Sequence, residues 1–278
     1  MLRRLSLVAL LLVGATLACA PVATAGTPAT WSGGGGNGLW STAGNWTGTA
    51  PVNSGLSSLT FAGTTNITST NNLTGLSVDL LSFTTTSTAF SLSGNAITLT
   101  TGTIMTSGST AGLATTGDIL SLGMILSGSN RAVTGTSHNL SFSGTIGGTG
   151  SMTFDGVSAF YVSGSNSYSG GTFITGGSVW TQAQTNAAGT GDNNAFGTGT
   201  VTVSGSGSLL ARNSISLANA MVISGSGNGS SAGAIRGSFG AINQTATISG
   251  SVTLAGNATI EAASNATGDS GSKLLFTN

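Results

Sequence analysis

His138 is the only histidine of the 278-residue chain, so any Ser-His-Asp relay must use it, with Asp118 or Asp155 as the acid. The abundant serines give such a relay no specificity. Stretches such as Gly205-Ser206-Gly207 are low-complexity sequence, and no Gly-x-Ser-x-Gly elbow stands between a strand and a helix. His138 is therefore expected to be a solvated loop residue. Asp79, Asp118, Asp155 and Asp192 follow one another at intervals of 39, 37 and 37 residues. If the chain winds with about half that period, the four line one face nearly 10 Å apart, roughly twice the strand spacing. That is too far for shared calcium ligation or for the carboxylate pair of a retaining glycosidase. Asp79 lies in apolar strand sequence and Asp155 and Asp192 at turns, where Asx-turns account for them without a metal. Only Gly189-Thr190-Gly191-Asp192 approaches a calcium-binding nonapeptide. Arg131, Arg212, Arg236 and Lys273 are each solitary, far along the chain from any acidic cluster, which leaves a lyase-type base without partners unless folding supplies them. No catalytic, cofactor-binding or metal residue is assigned, and no cofactor is expected.

Trp31, Trp40 and Trp46 are three of the four tryptophans and fall within a Trp/Gly-rich opening segment, residues 26–58. Large aromatics there either cover the open end of a repeat array or present ring faces to sugars, and both readings stand.

The elements that must position these residues follow from composition. The chain holds 46 Gly, 42 Ser, 44 Thr and 20 Asn, all weak helix formers. Six basic and six acidic residues give a net charge of zero, which excludes the basic footprint of a nucleic-acid binder. A 38% hydrophobic content and a mean hydropathy of +0.32 argue against disorder. The eight Asn-x-Ser/Thr triplets are close to what this composition produces by chance.

Arg3 and Arg4 precede an apolar run from Leu5 to Ala18, and Ala23-Thr24-Ala25 precedes Gly26. That pattern reads as a secretory signal over residues 1–25, cleaved after Ala25. No stretch approaches the roughly 20 apolar residues of a membrane helix. The only cysteine, Cys19, lies inside the signal, and Thr16-Leu17-Ala18 matches a lipoprotein box poorly. The mature chain is then free of disulfides, held by packing and hydrogen bonds alone.

One short unit recurs ten times: apolar, any, apolar, then Ser, Ala or Asp, then Gly. Its copies begin at Leu59, Phe90, Met124, Leu140, Met152, Phe160, Val201, Met221, Ala246 and Val252. Alternation puts the first and third residues on one face of a strand, and the Gly offers positive φ for the turn after it. The copies keep no fixed period, so a loose array is expected. The fold class is all-β: a right-handed parallel β-helix, a solenoid of 20 to 25 residues per coil, about ten to twelve coils and some 50 to 60 Å in length. Ser, Thr and Asn are placed outside or at corners. An antiparallel β-sandwich is the alternative.

The stretch from Gly147 to Val179, which includes Val162-Ser163-Gly164-Ser165-Asn166-Ser167-Tyr168-Ser169-Gly170-Gly171-Thr172, resembles the autotransporter-associated β-strand repeat. Asn166, Tyr168, Gly170, Gly171 and Thr172 occupy the matching places. Ser167 stands where that family has Thr, and Asp155 where Lys is common. Residues 214–267 resemble degenerate copies. The resemblance implies a bacterial, exported, adhesin-like passenger displayed at the outer surface or secreted, structural and not enzymatic. Cell-surface or matrix glycans or proteins are the expected partners. Residues 59–278 form the repeat region, uncapped at its C-terminal end, with end-to-end or membrane-barrel attachment lying outside this chain. A carbohydrate-active β-helix enzyme or a glycan-binding module is the alternative.

Overall fold

The structure, a computed structural model, describes residues 25–84, 88–107, 117–182, 184, 192–212, 214–229, 233–240, 242–264 and 271–277. Residues 1–24 of the leader, with Cys19, and Gly189 to Gly191 lie outside them. Strands dominate, and the one helical turn among the described residues is the three-residue Ala43–Asn45. No helix among them is long and apolar enough to cross a membrane.

Most strands belong to two large sheets. Along the first run Trp46–Gly48, Thr27–Trp31, Leu56–Phe61, Ser77–Phe83, Ile97–Thr106, Ser129–Thr134, Ser151–Gly156, Thr172–Ile174, Val201–Val203, Met221–Gly225 and Val252–Ala258, with Met124–Ser127 and Ile146–Gly148 attached beside Ile97–Thr106. The second runs Thr68–Asn71, Ser91–Gly94, Asp118–Leu120, Leu140–Phe142, Ala159–Val162, Ser178–Trp180, Ser208–Arg212, Ile235–Phe239 and Ile260–Ser264. From Leu56 onward the chain visits the two sheets alternately, and each visit adds a strand beside the last. Late in the chain it also builds a third sheet of Ser216–Leu217, Thr245–Ile248 and Lys273–Phe276. Pairing is parallel throughout except for Thr27–Trp31 with Trp46–Gly48, so the antiparallel sandwich does not describe this chain. The step between partners along the first sheet is short from Phe154 to Ile174 and half as long again from Ile223 to Leu254, a wider spread than the coil length expected from the sequence.

Ladders in register stack like residues. On the first sheet Leu59, Leu81, Ile104, Ala132, Phe154, Ile174, Val203 and Ile223 are successive partners, all fully buried. On the second, Leu140, Phe160, Val179, Leu209 and Ile235 do the same. Each large apolar side chain contributes about 1.5–3 kcal/mol on burial. In nine of the ten sequence units the first and third residues are both buried. The tenth lies in the last strand of the first sheet, where Leu254 is 66% exposed. Ile260, Leu275 and Phe276, on the last strands of the other two sheets, are exposed as well.

Two expectations need correction. Only five of the ten closing glycines, Gly94, Gly128, Gly164, Gly205 and Gly225, have positive φ. At most of the others closeness to neighbouring backbone is the requirement: a Cβ on Gly144 would lie 2.1 Å from the Leu122 carbonyl oxygen. Asparagine is also not confined to the outside or to corners, since Asn130 is buried within the strand Ser129–Thr134. Asn166 is buried, accepts from the Ile146 amide at 2.8 Å and donates to the Ala195 carbonyl at 2.8 Å, so one side chain ties the backbone before it to the backbone after it. Asn130 does likewise between Gly102 and Ser151. A primary amide suits both places because it donates and accepts at once, meeting backbone groups that the ladders leave without a partner.

Replacing Asn166 with Ala orphans two buried backbone groups and is expected to cost about 2–4 kcal/mol in urea unfolding. The exposed neighbour Ser165→Ala is expected to stay within about 0.5 kcal/mol.

Candidate functional site

The lone imidazole is not solvated. His138 Nε2 lies 2.7 Å from Asp118 Oδ2, and both side chains are 0% exposed. Asp118 occupies an inward position of the second sheet, directly before Leu140 and Phe160 in the buried column. Its Oδ1 accepts from the Phe90 amide at 2.8 Å. The imidazole reaches it from the turn ahead of Leu140, where the His138 amide donates to Ser158 Oγ at 3.3 Å and Asn139 Oδ1 accepts from the Ala159 amide. A carboxylate among apolar residues is costly unless paired, and His138 supplies the pair one strand along the sheet. Nδ1 has no hydrogen-bond partner among the described residues, and no serine hydroxyl bonds the ring. The two residues meet as a relay requires, but in a place closed to solvent.

The four spaced aspartates share no face. Asp79 sits in Ser77–Phe83, Asp118 inside the second sheet, and Asp155 within the strand Ser151–Gly156 rather than at a turn. Asp192 is at a turn, where it accepts from the Asn194 amide at 2.9 Å as an Asx-turn and from the Gly164 amide at 2.7 Å. An equal stride in sequence becomes an unequal one in space because the steps between partner strands vary in length. No group of three potential ligand side chains meets among the described residues. The arginines are not solitary once folded. Arg131 pairs with Asp155 across adjacent strands, and Arg236 Nε lies 3.1 Å from Glu261 Oε2, directly opposite in register. Lys273 opens Lys273–Phe276, opposite Thr245.

A cluster not evident from the sequence lies on the second sheet. Tyr161 and Trp180 are opposite one another, their rings stacked at 6.0 Å and 22°, and the Arg212 guanidinium stands 5.5 Å from the Trp180 ring. Arg212 is itself buried, donating to Gln182 Oε1 at 3.1 Å and Ser238 Oγ at 3.2 Å. Burial raises the Tyr161 pKa and the guanidinium offsets part of that; burial lowers the Arg212 pKa and Tyr161 offsets part in turn. The signal in the sequence was the partner spacing, from Tyr161 to Trp180 and on to Leu210, visible only once register is known.

Trp31, Trp40 and Trp46 are buried around Phe61, with centroids 5.6–5.8 Å from its ring. Trp40 Nε1 donates to Ser69 Oγ and Trp46 Nε1 to the Trp40 carbonyl. These indoles cover the first strands and offer no ring face to a sugar. Shallow grooves are found among the described residues, two of them as follows. One, of about 270 Å³, is lined by Asn193, Asn194, Gly197, Thr198, Ala218 and Asn219, and Asn219 already donates to the Gly197 and Gly199 carbonyls. The other, of about 360 Å³, runs beside Trp31 between Thr30 and Gly63.

Comparison with protein-family models, with curated proteins and with solved structures found no match to this chain.

Asp118→Ala leaves a buried imidazole unpaired and is expected to destabilise by about 3–5 kcal/mol in chemical denaturation. Replacing Asp118 and His138 together by Leu should cost clearly less than that single change. Tyr168 is fully buried with its hydroxyl 2.6 Å from Thr172 Oγ1; burial raises its pKa and that bond offsets part of the rise. With the folded value above the unfolded one, its contribution is complete below about pH 10 and declines as pH rises beyond. Tyr168→Phe should flatten the alkaline limb of a stability–pH curve.

Proposed function

We propose that this chain is an exported structural protein, an adhesin-like passenger without catalytic activity, of the kind that carries autotransporter-associated β-strand repeats in bacteria. In this reading the sheets are the walls of a right-handed parallel β-helix. The alternate visits to two parallel sheets support the winding, and right-handedness follows from the near-universal hand of parallel crossovers. One observation carries the functional part: most of the ionisable side chains among the described residues hold neighbouring strands together. His138 and Asp118 are closed to solvent, and Arg131 with Asp155 and Arg236 with Glu261 bridge adjacent strands.

The places of the repeat resemblance support the same reading, because each has a mechanical task. Asn166 ties the backbone on both sides of its turn, and Tyr168 fills the interior. Gly170 passes so close to its neighbour that a Cβ would lie 2.5 Å from the Gly150 carbonyl carbon, and Gly171 has φ +93°. The signal-like leader points to the outer surface or the medium as the location, with glycans or proteins of a cell surface or matrix as partners. Among the described residues the last strands of the sheets have an edge without a partner strand, which suits attachment of a further strand, end to end or from a membrane-anchored unit.

A panel of polysaccharides assayed for reducing ends and unsaturated uronates is expected to show no turnover. Turnover abolished by Asp155→Asn or His138→Ala would end this reading in favour of a carbohydrate-active enzyme. Immunolabelling of intact cells and of the culture medium checks the location, and retention in the cytoplasm would overturn it.

A further inference from the structure

Asp79 is out of step with the ladders around it. Ser57 pairs with Val78 but Ser58 with Leu80, and the register shifts again between Val78 and Leu80 on the other side. Asp79 is thus the extra residue of a bulge, a device that re-aims a side chain. Its carboxylate reaches past Leu56–Phe61 to the start of the first strand. Oδ2 lies 2.5 Å from the Gly26 backbone nitrogen, and Oδ1 accepts from Ser58 Oγ at 2.6 Å, a hydroxyl also 3.3 Å from the Gly26 carbonyl. Asp118, Asp155 and Glu261 each have a basic side chain beside them. Asp79 has none among the described residues.

Gly26 is also where the sequence pattern places the cut. Ala25 is exposed and Gly26 buried, so the bond between them lies where the chain enters the fold. A Cβ on residue 26 would come 2.6 Å from Asp79 Oδ1 and from the Ser57 carbonyl carbon, so this place takes glycine.

We propose that Asp79 is a receptor for the α-ammonium group created at Gly26 by cleavage after Ala25, so that processing locks the first strand in place. The proposal rests on the export reading. An endopeptidase acting with one water leaves a carboxylate on Ala25 and an amine on Gly26. That amine takes up a proton at neutral pH. A neutral amide then becomes a cation beside a carboxylate that has no other cation, and a hydrogen bond becomes a charge-assisted one. The three atoms that a Cβ at Gly26 would meet first belong to Ser57, Ser58 and Asp79, and of these residues Asp79 alone is ionisable.

Three forms decide it: the chain beginning at Gly26 with a free amine, the same chain N-acetylated, and a chain beginning at Ala25. The free-amine form is expected to melt about 3–5 °C above the other two at pH 6.5. An amine gaining a carboxylate has its folded pKa raised, so the gap is full below the unfolded value of about 8 and closes as pH rises toward 10. Asp79→Asn should abolish the gap. Equal melting of all three forms, or a gap that survives Asp79→Asn, would refute the lock while leaving export intact. N-terminal mass spectrometry of the exported protein checks the cut separately: Gly26 first supports the processing role, and any other first residue overturns it.

Discussion

Backbone hydrogen bonding between short strands well separated in sequence is the constraint on which the rest of this structure depends. Each strand is short, often three to six residues, and has little stability alone. Its peptide groups are satisfied by the strand before and the strand after in the same sheet, so every strand is both template and product of the stacking. Closeness is what makes this work. Where the chain turns between sheets its backbone passes within contact of the preceding turn, and a methyl group at Gly144 or Gly170 has nowhere to go. The high glycine content therefore reflects proximity between neighbours as much as positive φ.

The same constraint explains the buried polar residues. At turns the ladders lapse, and buried carbonyls and amides need other partners. Asn166 supplies them at its turn, and Asn130 does the same for Gly102 and Ser151 from within the strand Ser129–Thr134, each with one amide reaching both ways. Asp118 is the expensive case, a carboxylate inside an apolar column that is tolerable because His138 stands one strand along at hydrogen-bond distance. Tyr161, Trp180 and Arg212 form a second such unit, built across three neighbouring strands of the second sheet. Under the proposed reading, scarce charge is used for cohesion between layers. Asp79 extends that use to the amino terminus, where the cation would come from proteolysis rather than from a side chain.

The recurring strand-and-turn unit was legible without coordinates because it is local. Period-two alternation sets which residues face inward, and in nine of ten copies Leu, Phe, Met, Val, Ile or Ala at its first and third positions are buried. The tryptophans were half legible: their crowding near residues 31–46 marked a covered end or a sugar platform, and burial against Phe61 decided between them. His138 reads as solvated in the sequence because nothing adjacent to it announces Asp118 as its partner.

What the amino acids alone determined is the strand class, the inward face of each short strand and the absence of a helical alternative, since these depend on close neighbours along the chain. Tertiary structure decided the register, and register decides which side chains meet. The even spacing of Asp79, Asp118, Asp155 and Asp192 suggested one face, yet they fall at four dissimilar places because the steps between partner strands are unequal. Arg131 found Asp155, Arg236 found Glu261 and Tyr161 found Trp180 for the same reason: contact across strands depends on the length of the loop between them, which local chemistry leaves free.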